Sequence, residues 1–280
     1  MSTIGESSGG YDPKAALDFF KSGGKPEKLK QGARIFAEKE KPSRLLLKPG
    51  KMYLLLQGEV GLYAGKKEIG AMKPGAVFGE LAAITEAPRS ASAVAKTDCK
   101  LLSMDGRQFQ AALAKKPAFA LSLMSVLIGR LRETIAALGD AIPENAALKE
   151  TAVFDPKHLA ELVTGLSEDP VAYYDRGRTI VEAGQSGLRM YVVTEGAVRV
   201  MINERVVERL GPGGVFGELA LIEPAPRLAT VVAERDCAVL PVTRKAFLAL
   251  VKMSPGFAES MLSSLAKRLR YLATTRLDRP

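Results

Sequence analysis

Residues 77–90 read VFGELAAITEAPRS, and residues 215–228 read VFGELALIEPAPRL, 138 positions later. A near-repeat at fixed spacing constrains the fold more than any composition value, because it marks a duplicated structural unit. The offset recurs: PAFA at 117–120 matches PGFA at 255–258, and GRLR at 129–132 matches KRLR at 267–270. Nearer the start, YDPKAALDFF (11–20) echoes FDPKHLAELV (154–163) at an offset of 143. The change from 143 to 138 implies about five extra residues in the first unit, with EKEKPSRLLLKPGK as the place. Two homologous domains of about 125 residues then account for nearly all of the 280 residues. This predicts a flexible N-terminus over 1–10, a first domain over 11–138, a linker over 139–153 and a second domain over 154–280.

Each unit carries the same order of local signals. Asp12-Pro13 and Asp155-Pro156 read as an N-cap followed by proline at the first helical position, which opens a helix. Short apolar stretches punctuated by Gly and Pro follow, RLLLKPGKMYLLLQGEVGLYAG in one unit and RMYVVTEGAVRVMINERVVERLGPGG in the other. Such lengths and turn residues predict antiparallel strands closing a sandwich or roll. GELA begins a short helix, and the strands SASAVA-KTDCKLLSM and ATVVA-ERDCAVLPV come next. Each unit ends in a long helical pattern, from about Phe119 to Leu138 and from about Phe257 to Leu277. The fold class is therefore α+β.

Within the twice-written stretch, an acid (Glu80, Glu218) sits inside an apolar run and an arginine (Arg89, Arg227) follows nine residues later. Burying such charges is costly unless they are paired or meet a charged ligand. A glycine before a helix lets backbone N–H groups approach an anion, and the helix N-terminus favours negative charge. Gly79-Glu80-Leu81-Ala82 and Gly217-Glu218-Leu219-Ala220 have this arrangement. Arginine adds a planar, permanently charged fork that suits phosphate oxygens. A carboxylate would repel that phosphate but can accept from a hydroxyl elsewhere on the same ligand. Anion plus hydroxyl describes a ribose phosphate.

These residues resemble the cyclic nucleotide-binding domain family, which includes the catabolite activator protein and the regulatory subunits of cAMP-dependent protein kinase. The shared pattern is F-G-E-L-A, a few residues, then P-R-(S/T/A)-A, and both copies carry it: FGELA…APRSA at 78–91 and FGELA…APRLA at 216–229. The resemblance implies two tandem β-rolls, each flanked by helices and closed by a C-terminal helix. It implies that Glu80 and Glu218 bind the ribose 2′-hydroxyl and that Arg89 and Arg227 bind the cyclic phosphate. The backbones of 79–82 and 217–220 would complete the phosphate cradle. Ser90 and Ala91 follow the first arginine, Leu228 and Ala229 the second. Ser90 can donate a hydroxyl to the phosphate, whereas Leu228 offers only its backbone N–H, so the second pocket is one donor short. In the family the closing helix contacts the base. Alignment of GRLRET places Thr134 there in the first unit, whereas KRLRYLA has a leucine at that place in the second, with Tyr271 one residue earlier. Tyr271 can stack on the base or simply pack between helices.

Composition narrows the alternatives. His158 is the single histidine, which leaves no material for a histidine-based metal site, and no nucleophile-and-base arrangement stands out, so an enzyme is not expected. Cys99 and Cys237 are again 138 apart. They read as equivalent buried thiols rather than a disulfide. No apolar run approaches a membrane span, and the N-terminus lacks a secretory pattern, so a cytosolic protein is expected. The net charge of +9 is concentrated in residues 11–52, where eleven Lys/Arg face five Asp/Glu. That segment is either a solvated basic face or a docking surface for an acidic protein, nucleic acid or anionic lipid. No recognition-helix module follows the second unit, so specific DNA binding is not expected, and no Arg-Arg-x-Ser/Ala pseudosubstrate appears near the N-terminus. The reading is a receptor without cofactor, catalytic or DNA-binding output, whose ligand is cAMP, with cGMP or a cyclic dinucleotide as alternatives. It would signal through an unidentified effector protein. The remaining alternative is a regulator of the catabolite activator type acting through a partner.

Overall fold

The computed structural model describes residues 10–41, 50–139, 142, 150–166, 170–223 and 225–277. The N-terminus 1–9 and most of the 139–153 linker lie outside the described residues. So do residues 42–49, which include the start of the first predicted strand stretch at 44–49.

Both opening helices form where the Asp-Pro signals place them. In α1 (Pro13–Lys21) the Asp12 carboxylate accepts from the Lys14 N–H at 2.8 Å. In α5 (Pro156–Gly165) Asp155 accepts from the His158 N–H at 2.9 Å. Each cap satisfies one of the first-turn donors that a helix cannot satisfy itself.

The first repeat folds into two four-stranded antiparallel sheets. One has the order β1 (Lys25–Leu29), β8 (Cys99–Asp105), β3 (Lys51–Gln57), β6 (Val77–Phe78). The other has the order β2 (Arg34–Phe36), β7 (Ser92–Ala95), β4 (Val60–Ala64), β5 (Lys67–Met72). The second repeat builds the same roll from longer pieces. β11 (Arg189–Ile202) and β14 (Thr230–Thr243) pair along their lengths, with β12 (Arg205–Leu210) and β13 (Val215–Phe216) on β11 and β9 (Ala172–Tyr174) and β10 (Thr179–Val181) on β14. The chain bends where a residue without Cβ permits positive φ. Gly58 (φ 95°) separates β3 from β4, and its repeat counterpart Gly196 (φ 74°) sits in an irregularity of β11.

The cores correspond residue by residue. Leu55, Val60, Met72, Phe78 and Leu101 fill the first roll, and Val193, Val198, Leu210, Phe216 and Val239 occupy the positions 138 later in the second. Cys99 and Cys237 are equivalent core thiols, both buried and free. Fully burying side chains of this size contributes about 1.5–3 kcal/mol each. Tyr53 stacks on Phe78 at 5.2 Å, and Tyr191 on Phe216 at 5.1 Å, both with an interplanar angle of 19°.

The helices differ from the sequence reading in two ways. α3 (Gly106–Lys115) and α7 (Arg244–Met253) are additional. Asp105 starts α3 with a capping box, accepting from the Gln108 N–H at 2.9 Å while the Gln108 side chain accepts from the Asp105 N–H; the D-x-x-Q spacing was the available signal. The second difference is where the long helices go. The chain forms two compact units, 1–129 with 254–280, and 130–253. α4 (Phe119–Leu138) spans the predicted residues, yet its C-terminal part from Arg130 onward belongs to the second unit. α8 (Pro255–Leu277) belongs to the first.

Backbone pairing also locates the insertion. Lys39 N–H donates to Arg89 O and Arg89 N–H to Glu40 O, both at 2.9 Å. Gly184 N–H and Arg227 O, and Arg227 N–H and Gln185 O, repeat this at 2.9 Å. The extra residues of the first repeat therefore fall between Glu40 and Lys51, inside the predicted segment.

Candidate functional site

The turn after β6 brings the repeated residues together. Gly79 (φ 73°) lies in the left-handed region and opens α2 (Glu80–Thr85), with no side chain capping it. Side chains rarely tolerate that φ, and a Cβ there would lie 3.0 Å from Arg89 Nη1 and 3.1 Å from the Lys51 carbonyl oxygen. Glu80, 1% exposed, and Arg89, 8% exposed, are both buried beside this turn. Arg89 Nη1 donates to Gly79 O at 2.8 Å, and its guanidinium lies over the Phe36 ring, 4.1 Å from the centroid. Burial lowers the Arg89 pKa, and Tyr53, Glu40 and Glu80 beside it oppose that. An arginine starts so high that it stays charged. The site thus holds a desolvated cation, a buried acid and a helix start within one short segment.

The second copy keeps the arrangement with changes. Gly217 (φ 81°) makes the turn, and Glu218 (1% exposed) and Arg227 (9% exposed) are buried. Arg227 Nη1 donates to Gly217 O, and Nη2 donates to the Arg189 carbonyl at 2.6 Å. Both terminal nitrogens therefore serve the backbone, whereas among the described residues Arg89 donates through Nη1. Gly187 lies against this guanidinium so closely that any Cβ would collide with it. Burial again lowers the arginine's pKa, with Tyr191 and Glu218 opposing. The helix is shorter here: α6 (Leu219–Ile222) stops because Glu223, extended at φ −119° and ψ 123°, precedes Pro224, and the residue before proline disfavours the α region.

The remaining predicted residues are placed as follows. Leu81 is half-buried and Ala82 buried on α2, while Ser90 is half-buried and Ala91 buried beyond Arg89. In the second copy Leu219, Ala220, Leu228 and Ala229 are all half-buried. Thr134 is buried, its hydroxyl donating to Arg130 O at 2.7 Å, and it belongs to the second unit rather than to that of Glu80 and Arg89. Tyr271 is half-buried on α8 and belongs to the first unit, apart from Glu218 and Arg227. Sequence reasoning missed Phe36 and Gly187, which support the two arginines, because both lie upstream of the repeated stretch where the offset changes.

Among the described residues no cluster of His, Cys, Asp or Glu could hold a metal ion, and no helix is long and apolar enough to cross a membrane.

The sequence profile described as cyclic nucleotide-binding domain matches residues 26–116 and 171–254. Among curated relatives, the cAMP-dependent protein kinase regulatory subunit of Eremothecium gossypii is 28% identical over 230 residues, covering 81% of this chain and 43% of that protein. The cAMP-dependent protein kinase type II regulatory subunit of Drosophila melanogaster is 30% identical over 207 residues, covering 71% and 50%. The chain thus spans about half the length of the curated relatives it matches. Among solved structures, the regulatory domain of Toxoplasma gondii PKA with cAMP is 23% identical, covering 91% of this chain and 90% of that one at a TM-score of 0.33. The catabolite activator protein of Thermus thermophilus is 33% identical, covering 42% and 56% at a TM-score of 0.37.

Proposed function

Because this chain belongs to the cyclic nucleotide-binding domain family, we propose that it is a receptor for a 3′,5′-cyclic mononucleotide, cAMP before cGMP. The observation that carries this is the pair of buried opposite charges, Glu80 and Arg89, set beside the same left-handed glycine turn and repeated as Glu218 and Arg227. Arg89 and the start of α2 would take the cyclic phosphate, and Glu80 would accept from the ribose 2′-hydroxyl. Ser90 adds a hydroxyl donor. Removal from water strengthens each of these contacts relative to the surface. cAMP is favoured because the curated relatives are named as regulatory subunits of a cAMP-dependent kinase.

The protein acts by binding rather than by catalysis, and its output is a conformation offered to a partner. Ligand shifts that conformation only by its differential affinity for two states. The same relatives make a protein kinase catalytic subunit the partner to test first. Titration with cAMP, cGMP and a cyclic dinucleotide tests the ligand. Tightest binding of cAMP supports the reading, and preference for the dinucleotide overturns it.

A further inference from the structure

In sequence, α8 closes the second repeat, but it packs in the first unit against α2 and α3. The Arg270 guanidinium donates to the carbonyl of Pro88, the residue before Arg89. On α3, Gln110 Nε2 donates to Glu259 Oε2 at 3.4 Å. The repeat counterpart of Arg270 is Arg132, on the part of α4 that belongs to the second unit. Arg132 Nε lies 3.8 Å from Oε2 of Glu223, the residue that ends α6, four before Arg227. Each of these two arginines therefore reaches the segment that leads to the other repeat's buried arginine.

The opening helices agree with this. α1 buries Phe19 and Phe20, and Phe19 stacks on Phe119 at the start of α4, 4.0 Å between ring centroids. Its counterpart α5 has no fully buried residue. Phe257, the counterpart of Phe119, is buried with the first unit. The second repeat's closing helix is thus committed elsewhere.

We propose that the two repeats exchange their closing helices, so that α8 closes the first site and the C-terminal part of α4 closes the second. Arg270 and Arg132 are the positioning residues. Arg270 fixes the Pro88 carbonyl while Glu40 O holds the Arg89 N–H, so both sides of that peptide are set before ligand arrives. Preorganisation of this kind raises affinity by lowering the ordering cost of binding. Tyr271 then serves the first site and Thr134 the second. Because each site is closed by the other repeat, their occupancies are linked, and linkage is reciprocal. The proposal rests on the cyclic-nucleotide reading for its affinity arm only.

Two measurements on the full chain separate the proposals. Without nucleotide, hydrogen exchange should speed up over 80–90 in Arg270→Ala and over 219–227 in Arg132→Ala. With cAMP, and with the second site disabled by Arg227→Ala, Arg270→Ala should weaken the remaining site on the order of tenfold, the loss expected for one hydrogen bond from a charged donor. Arg270→Lys should recover part of that loss, and Arg132→Ala should leave this site unchanged. The reverse assignment, with Arg132→Ala loosening 80–90 or weakening the first site, overturns the exchange. Failure of the wild-type protein and of Arg227→Ala to bind cAMP while the exchange pattern holds would count against the ligand reading alone.

Discussion

Arg89 Nη1 is tied to the carbonyl of Gly79, 2.8 Å away, so the buried cation is held by the very residue that turns the chain into α2. The turn and the charge are one structure. Gly79→Ala should damage both, because the new Cβ would meet Arg89 Nη1 at 3.0 Å and the fixed Lys51 carbonyl at 3.1 Å. A non-glycine residue at φ 73° also costs about 1–2 kcal/mol. We expect urea unfolding to show that loss and nucleotide affinity at the first site to fall at least tenfold. Unchanged affinity in a folded Gly79→Ala protein would separate the turn from the site.

The two sites should bind unequally. Arg227 spends both terminal nitrogens on Gly217 O and Arg189 O, and Leu228 replaces the hydroxyl of Ser90. The second site is therefore expected to be the weaker one. Leu228→Ser should tighten it by one neutral hydrogen bond, about 0.5–1.5 kcal/mol. Separate titrations of Arg89→Ala and Arg227→Ala check the ranking, which is wrong if Arg227→Ala removes the tighter event.

Glu80→Gln keeps the shape and removes the charge. If Glu80 accepts from a ribose hydroxyl, this variant should lose about 1.5–3 kcal/mol of cAMP affinity, the range for a hydrogen bond to a charged group. The 2′-deoxy nucleotide should bind wild type and variant alike. A full loss for the deoxy ligand as well would mean that Glu80 acts on the fold and not on the hydroxyl.

Alkaline pH should weaken the first roll through Tyr53. Burial pushes its hydroxyl from 10.0 up to about 12; the Arg89 charge lowers it, while Glu27 and Glu40 raise it. Below pH 10 the ring is neutral in both folded and unfolded chains, and its contribution to stability is complete. As pH rises from 10 to 12 the unfolded chain ionises first, and that contribution is lost. Two pKa units correspond to on the order of 2–3 kcal/mol. Tyr53→Phe should flatten this part of the stability profile between pH 9.5 and 12, and an unaltered profile would contradict it.

Much of this was legible because duplication makes a sequence annotate itself. The 138-residue offset carried the Gly-Glu turns, the arginines, the cysteines and the apolar core positions together. Asp12-Pro13 and Asp155-Pro156 announced their helices through cap chemistry that acts locally. What the sequence did not reveal was non-local. Phe36 and Gly187 reach the arginines across the roll from segments where the offset has shifted. Thr134 and Tyr271 could be aligned to a helix position, but alignment carries no information about which roll a helix covers. That choice depends on tertiary packing of two similar helices against two similar rolls, and local pattern is the same for either outcome.

We expect Arg89 to hold the phosphate of a cyclic nucleotide. Calorimetric titration of cAMP into wild type and Arg89→Ala tests it most directly, with circular dichroism confirming the fold. Loss of a charge-assisted contact of this kind should cost about 2–5 kcal/mol, some 30- to several-thousand-fold in affinity, so the first-site event should vanish at micromolar nucleotide. An intact Arg89→Ala protein that binds cAMP as tightly as wild type would contradict the claim.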